Sequence, residues 1–161
     1  MTTTREARWL SVEQQGHWRT FRDGVSLLFD ALGHDLEERC GLSIHEYEVM
    51  VRLSEAPDRT LRMSQLASDL AHSRSRLTHT ITRMESAGLV ERVACASDAR
   101  GVNCVLTESG WQALVAAAPD HVASVREHLV DVLTDDELAA LGAAMAKVGD
   151  HLRSPAEAPA H

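Results

Sequence analysis

The residues best suited to chemistry in this sequence are arginines interleaved with hydroxyls, in the run Ser73-Arg74-Ser75-Arg76-Leu77-Thr78-His79 and onward to Thr82-Arg83. Arginine carries a planar fork of donors that fits phosphate and the guanine edge, and short hydroxyls serve phosphates or bases alike. At helical spacing Leu77, Ile81 and Met84 share one narrow arc. The opposite arc holds Ser75, His79, Thr82 and Ser86, flanked by Arg76, Thr78 and Arg83. The pattern predicts a helix that docks by its apolar arc and turns its donors outward, towards a polyanion.

The elements around this helix complete a DNA-gripping unit. Leu66, Ala67 and Leu70 mark a short helix before it, and Gly88 stops the arginine-bearing helix in the manner of a C-terminal cap. Two strand-like runs follow, from Leu89 to Cys95 and from Val102 to Leu106, joined through Ser97-Asp98-Ala99-Arg100-Gly101. That order is helix-turn-helix plus β-wing. Arg100, expected at the tip of the hairpin, is placed to enter a minor groove, with Asp98 near enough to brace it.

Charge is distributed accordingly. The chain carries a net −8, which looks wrong for a DNA binder. From Arg59 to Gly101, however, seven arginines face four carboxylates, a local +3 that leaves −11 for the remainder. One face is suited to a polyanion and the rest repels it.

The flanks read as helices. Trp18, Phe21, Val25, Leu28, Leu32 and Leu36 form one apolar stripe, opened by a capping box at Ser11 and Gln14 and closed by Gly41. Ser43 to Glu46 caps a second helix carrying Tyr47, Met50, Val51 and Leu53, and Pro57 to Thr60 is a turn. Thr107 caps a long helix that Pro119 is expected to kink or divide. Thr134 to Glu137 is a further capping box, before Leu138, Leu141, Met145, Val148 and Leu152. Residues 153–161 read as a disordered tail.

These pieces resemble the MarR family of bacterial transcription regulators. The resemblance rests on Ser43 to Leu53, Arg62 to Ala67, Ser73 to Thr78, Arg83 to Arg92 and, most specifically, Asp98-Ala99-Arg100-Gly101 followed by Leu106-Thr107-Glu108-Ser109-Gly110. It covers nearly all of the chain from Ser11 to Leu152. It implies a mainly α-helical winged helix-turn-helix with a two- or three-stranded wing in one domain over 1–161. Within it, 43–107 form the winged unit, and 11–40 with 108–152 supply dimerising helices. It also implies a homodimer that represses transcription from a near-palindromic double-stranded operator, released by a small phenolic or aromatic effector. Two recognition helices would then sit about 34 Å apart, facing successive major grooves.

The DNA-contacting residues expected on this reading are Ser73, Arg74, Ser75, Arg76, Thr78, His79, Thr82, Arg83, Asp98 and Arg100. By family geometry, Trp18, Phe21, Arg22, His45, Tyr47 and Met50 would line the effector cleft, although aromatic and methionine stripes at this spacing also describe a core. An alternative class is a protein-interaction module that uses the winged helix for docking.

Other chemistry finds little purchase. Cys95 and Cys104 flank the wing almost symmetrically and define an alternative, a redox switch across the hairpin, provided the register brings them opposite. Peroxide sensors of the family carry their reactive cysteine in the first helix, whereas Cys40 lies at that helix's far end. His72/His79 and His121/His128 each stand seven apart, wider than the three to five usual for zinc pairs in a helix, so they read as surface or DNA-facing residues. Neither a phosphate-cradling glycine loop nor a nucleophile elbow occurs, so no enzyme, cofactor or metal is expected. Without an apolar leader or an unbroken apolar run, the chain reads as cytoplasmic with no membrane partner.

Overall fold

The computed structural model describes residues 7–70, 73–95 and 101–153. Asp98, Arg100, His72 and the tail after 153 lie outside the described residues, as does the side chain of Arg74.

Among the described residues six α-helices and three short strands follow one another as α1 (Val12–Cys40), α2 (Ile44–Glu55), β1 (Thr60–Arg62), α3 (Met63–Asp69), α4 (Arg74–Ser86), β2 (Val90–Ala94), β3 (Val102–Leu106), α5 (Glu108–His128) and α6 (Asp135–Arg153). The strands form an antiparallel sheet in the order β1-β3-β2. This is a mainly helical winged helix-turn-helix with a three-stranded wing.

Local signals set the helix ends. Reciprocal Ser–Gln and Ser–Glu capping boxes open α1 and α2, as expected from Ser11/Gln14 and Ser43/Glu46. Thr134 and Glu137 make the same exchange before α6. Gly41 and Gly88 both take positive φ, at 65° and 72°. At Gly88 the amides of Gly88 and Leu89 return to the carbonyls of Glu85 and Met84, at 3.0 and 2.9 Å, and close α4 as a Schellman turn.

The core lies beneath the helix-turn-helix. Val49, Met50 and Leu53 of α2 meet Leu66 of α3, Leu77, Ile81 and Met84 of α4, Val90, Cys104 and Leu106 of the sheet, and Leu114 and Ala117 of α5. Gly110 is where α5 leaves the wing. A β-carbon there would stand 2.1 Å from the Leu89 carbonyl oxygen, so only glycine permits this approach. Thr107 fastens the same corner, accepting from the Gly110 amide (3.0 Å) and donating to the Gly88 carbonyl (2.7 Å).

Three expectations are revised. Pro119 does not divide α5, which runs through it. The proline removes one backbone hydrogen bond, but the neighbouring turns stay packed through Leu114, Ala117 and Ser124. The stripe on α1 is buried only in its second half, at Leu32 and Leu36, whereas Trp18, Phe21 and Val25 are exposed. His121 and His128 prove to be half-buried on the inner side of α5, not surface or DNA-facing. His128 Nε2 lies 3.0 Å from the Asp35 carboxylate of α1, which also accepts from the Ser124 hydroxyl. These hydrogen bonds hold the Asp35 carboxyl below its usual range.

Candidate nucleic-acid interface

Helix α4 is built as a presenting helix. Ser73 caps it, its hydroxyl accepting from the Arg76 amide at 3.3 Å and lying 3.3 Å from the Ser75 hydroxyl. Leu77, Ile81 and Met84 are buried and fix its inner arc. Thr80 is buried with them, its hydroxyl donating to the Arg76 carbonyl at 3.2 Å. Ser73, Ser75, Arg76, Thr78, His79, Thr82 and Arg83 are all exposed, so the outward arc is the one that the periodicity indicated.

Arg83 and Thr82 are also engaged with other elements of the fold. Arg83 reaches back to α2, with Nη2 at 2.8 Å and Nε at 3.1 Å from Glu46 Oε1, and Nη2 at 3.4 Å from the Ser43 hydroxyl. Glu46 is the carboxylate that Arg83 touches, and Glu37 adds a weaker charge interaction. Burial raises its pKa, but the Ser43 amide, the Arg83 guanidinium and the Ser43 hydroxyl together outweigh burial and hold it below the ordinary glutamate value. Thr82 donates its hydroxyl to the Thr78 carbonyl at 2.9 Å and accepts from Arg92 Nη2 at 2.9 Å. Sequence periodicity shows which arc is outward, but not which exposed side chains fold back.

The wing pairs Val90 with Leu106, Arg92 with Cys104 and Ala94 with Val102. The Cys95 amide donates to the Gly101 carbonyl at 2.9 Å. This register sets Cys104 opposite Arg92, not opposite Cys95. Cys104 faces inward opposite Arg92, and the pleat sends Cys95 to the other face of the sheet. The expected Cys95–Cys104 opposition does not exist. Burial pushes the Cys104 thiol up to about 12, and Cys95 Sγ lies 3.4 Å from Arg62 Nη2. Burial and Asp120 also raise the Cys40 thiol.

The residues expected to line an effector cleft do not come together within the chain. Met50 is fully buried in the core. Trp18 and Phe21 are exposed neighbours, with ring centroids 6.2 Å apart, and Arg22 pairs with Asp23 at 2.7 Å. His45 stands at the start of α2, 3.5 Å from Glu48. The α1 residue facing the start of α2 is Gly33, roughly 22 Å along the helix from Trp18 at 1.5 Å per residue.

A different cleft, of about 490 Å³, opens between α2, α3 and α5 and is lined by Tyr47, Glu48, Arg52, Asp69, Leu70 and His121. His121 stacks on Tyr47, with centroids 4.4 Å apart, and its buried Nδ1 has no hydrogen-bond partner among the described residues. Burial, partly offset by Glu48, lowers its pKa and favours the neutral ring. Of this lining only Tyr47 is expected at a cleft from sequence, because the walls come from three helices far apart in the chain. Among the described residues no group of His, Cys, Asp and Glu could hold a metal ion, and no helix is long and apolar enough to cross a membrane.

The fold and its outward arginine-hydroxyl helix define a winged-helix DNA-binding protein, and comparison with known proteins agrees. The sequence model of the MarR family matches residues 42–102. AbsC, a MarR family transcriptional regulator from Streptomyces coelicolor, is 44% identical; the match covers 92% of this chain and 100% of AbsC, with a TM-score of 0.84. Sco3205, a MarR family regulator from the same organism solved in complex with DNA, is 39% identical over 96% of this chain and 97% of its own, with a TM-score of 0.88. The HTH-type transcriptional regulator PecS of Dickeya dadantii (strain 3937) is 29% identical over 80% of this chain and 77% of its own length. The chain belongs to the MarR family and is a DNA-binding transcriptional regulator, not an enzyme.

Proposed function

We propose that this regulator is a homodimeric repressor that places α4 of each subunit in successive major grooves of a near-palindromic operator. The observation that carries the reading is the exposed face of α4 opposite its docked Leu77, Ile81 and Met84. Ser75, Arg76, Thr78 and His79 read base edges, and Ser73 and Arg74 at the helix start meet phosphates. Asp98 and Arg100 serve the minor groove from the wing. Thr82 and Arg83 act mainly within the protein, as their hydrogen bonds suggest.

Unpartnered helices support the dimer. None of the 19 residues of α6 is buried, yet Leu141, Met145, Val148 and Leu152 recur along it at helical spacing. In proteins most helical stability comes from packing an amphipathic face, not from intrinsic propensity. Trp18, Phe21 and Val25 on α1 are similarly uncovered. A second copy that covers both stripes gains roughly 1.5–3 kcal/mol for each large side chain it buries fully. Helices within 11–40 and 108–152 therefore form the dimer, and 43–107 grips DNA.

The cleft over Tyr47 and His121 is the site proposed for a small aromatic effector. It lies between α5 of the dimerising part and α2 and α3 of the DNA-binding part, where an occupant would bias their relative angle. The Cys95/Cys104 switch gains no support from this geometry.

Selection of bound fragments from random duplex DNA, combined with light scattering, tests the reading. The expected result is a palindrome with half-sites one helical turn apart, bound by two chains, that silences a reporter placed downstream. Single half-sites bound by one chain would overturn it.

A further inference from the structure

The join between α4 and the wing holds a charged cluster, Glu85 with Arg92, that lies off the outward face of α4. Arg92, in the middle of β2, donates its amide to Glu85 Oε1 at 3.0 Å and its Nη1 to Glu85 Oε2 at 2.7 Å. Its Nη2 bridges to the Thr78 carbonyl at 3.1 Å and the Thr82 hydroxyl at 2.9 Å. One guanidinium thus binds three successive turns of α4. The base of the wing is held by the Schellman turn at Gly88, by Thr107 on the Gly88 and Leu89 carbonyls and by the pairing of β3 with β1, and the Arg92 fork ties the middle of β2 to α4.

We infer that Glu85 and Arg92 are positioning residues for operator binding: without touching DNA, they fix the angle at which the wing leaves the recognition helix. Size makes the angle matter. From Val90 to Cys95 the strand extends roughly 17 Å at about 3.3 Å per residue. A splay of about 10° at Gly88 would move its end by about 3 Å, half the roughly 6 Å width of a minor groove. A wing free to splay would lose its groove while α4 kept its own. The fork geometry is specific to arginine, because a lysine ammonium cannot meet a carboxylate, a carbonyl and a hydroxyl at these separated positions.

The inference rests on the proposed wing contact at Arg100, and the test separates the two. Operator affinity at fixed salt is measured for Glu85→Gln, Arg92→Lys and Arg100→Ala and for Glu85→Gln/Arg100→Ala, with circular dichroism confirming native helix content. Glu85→Gln removes a negative charge beside DNA, so a bystander role predicts equal or tighter binding. The clamp predicts the opposite sign, a loss comparable to that of Arg100→Ala, on the order of tenfold. Arg92→Lys should weaken binding as Glu85→Gln does, whereas a direct phosphate contact would be preserved by lysine. In the Glu85→Gln background the further penalty of Arg100→Ala should fall below about twofold, a non-additivity that a general loss of stability would not produce. Unchanged or tighter binding by Glu85→Gln, or binding retained by Arg92→Lys, overturns the clamp. If Arg100→Ala alone costs nothing, the wing contact falls, and the sign of the Glu85→Gln effect still decides the clamp.

Discussion

Replacing Glu46 with alanine removes, in one step, the capping box of α2 and the ion pair from α2 to α4. Its carboxylate accepts from the Ser43 amide (2.9 Å) and hydroxyl (2.8 Å) and from Arg83 Nη2 (2.8 Å). Loss of the capping box costs about 1 kcal/mol. The Arg83 pair adds at most about 1 kcal/mol, because that guanidinium is 58% exposed and regains water when released. The lost packing of a nearly buried methylene adds about 0.8 kcal/mol. The total, about 2–3 kcal/mol, corresponds to a fall of roughly 5–10 °C in Tm for a chain of this length. Thermal unfolding at fixed protein concentration, followed by circular dichroism, measures it. The sign with pH is set by the lowered folded-state pKa of Glu46. Its contribution is fully present above the unfolded glutamate value of about 4.3 and is lost as pH falls through the lower folded value. The gap between wild type and variant should therefore be complete at pH 7 and shrink below pH 4. A variant within about 0.5 kcal/mol of wild type at pH 7, or a gap indifferent to acid, would refute the reasoning.

Three further outcomes are expected. Gly110→Ala drives a methyl into the Leu89 carbonyl and should cost about 3 kcal/mol, at the upper end of overpacking effects; a Tm within 2 °C of wild type, the shift of only about 0.5–1 kcal/mol, would contradict the close approach. Peroxide should produce no intramolecular Cys95–Cys104 disulfide, and Cys104 should resist alkylation at pH 8 until the protein is denatured. Peptide mass spectrometry reads both results, and rapid native labelling of Cys104 would speak against its burial. Arg76→Ala or His79→Ala should alter base preference at one half-site position, by about 1–3 kcal/mol for a bidentate contact, whereas Arg83→Ala should leave the selected sequence unchanged and lower Tm. A shifted consensus for Arg83→Ala would return that residue to the DNA face.

The sequence by itself determined what depends on neighbours three or four residues away. The caps at Ser11, Ser43 and Thr134, the stops at Gly41 and Gly88, and the docked arc of Leu77, Ile81 and Met84 were all legible, because helical geometry makes these contacts local. From such pieces and their order the winged fold and the outward face of α4 could be read. Tertiary structure decided what joins distant segments. Strand β1 spans only Thr60 to Arg62 and exists through its pairing with β3, more than forty residues away. The cysteines part because the strand register pairs Cys104 with Arg92. Arg83 turns to Glu46 and Arg92 to Glu85 because folding brings those carboxylates within reach, and a charge pattern cannot say which of several exposed arginines is already held. The cleft over Tyr47 and His121 likewise appears only where three helices meet. Side-chain periodicity carries direction, but partnership across long loops requires the closed chain.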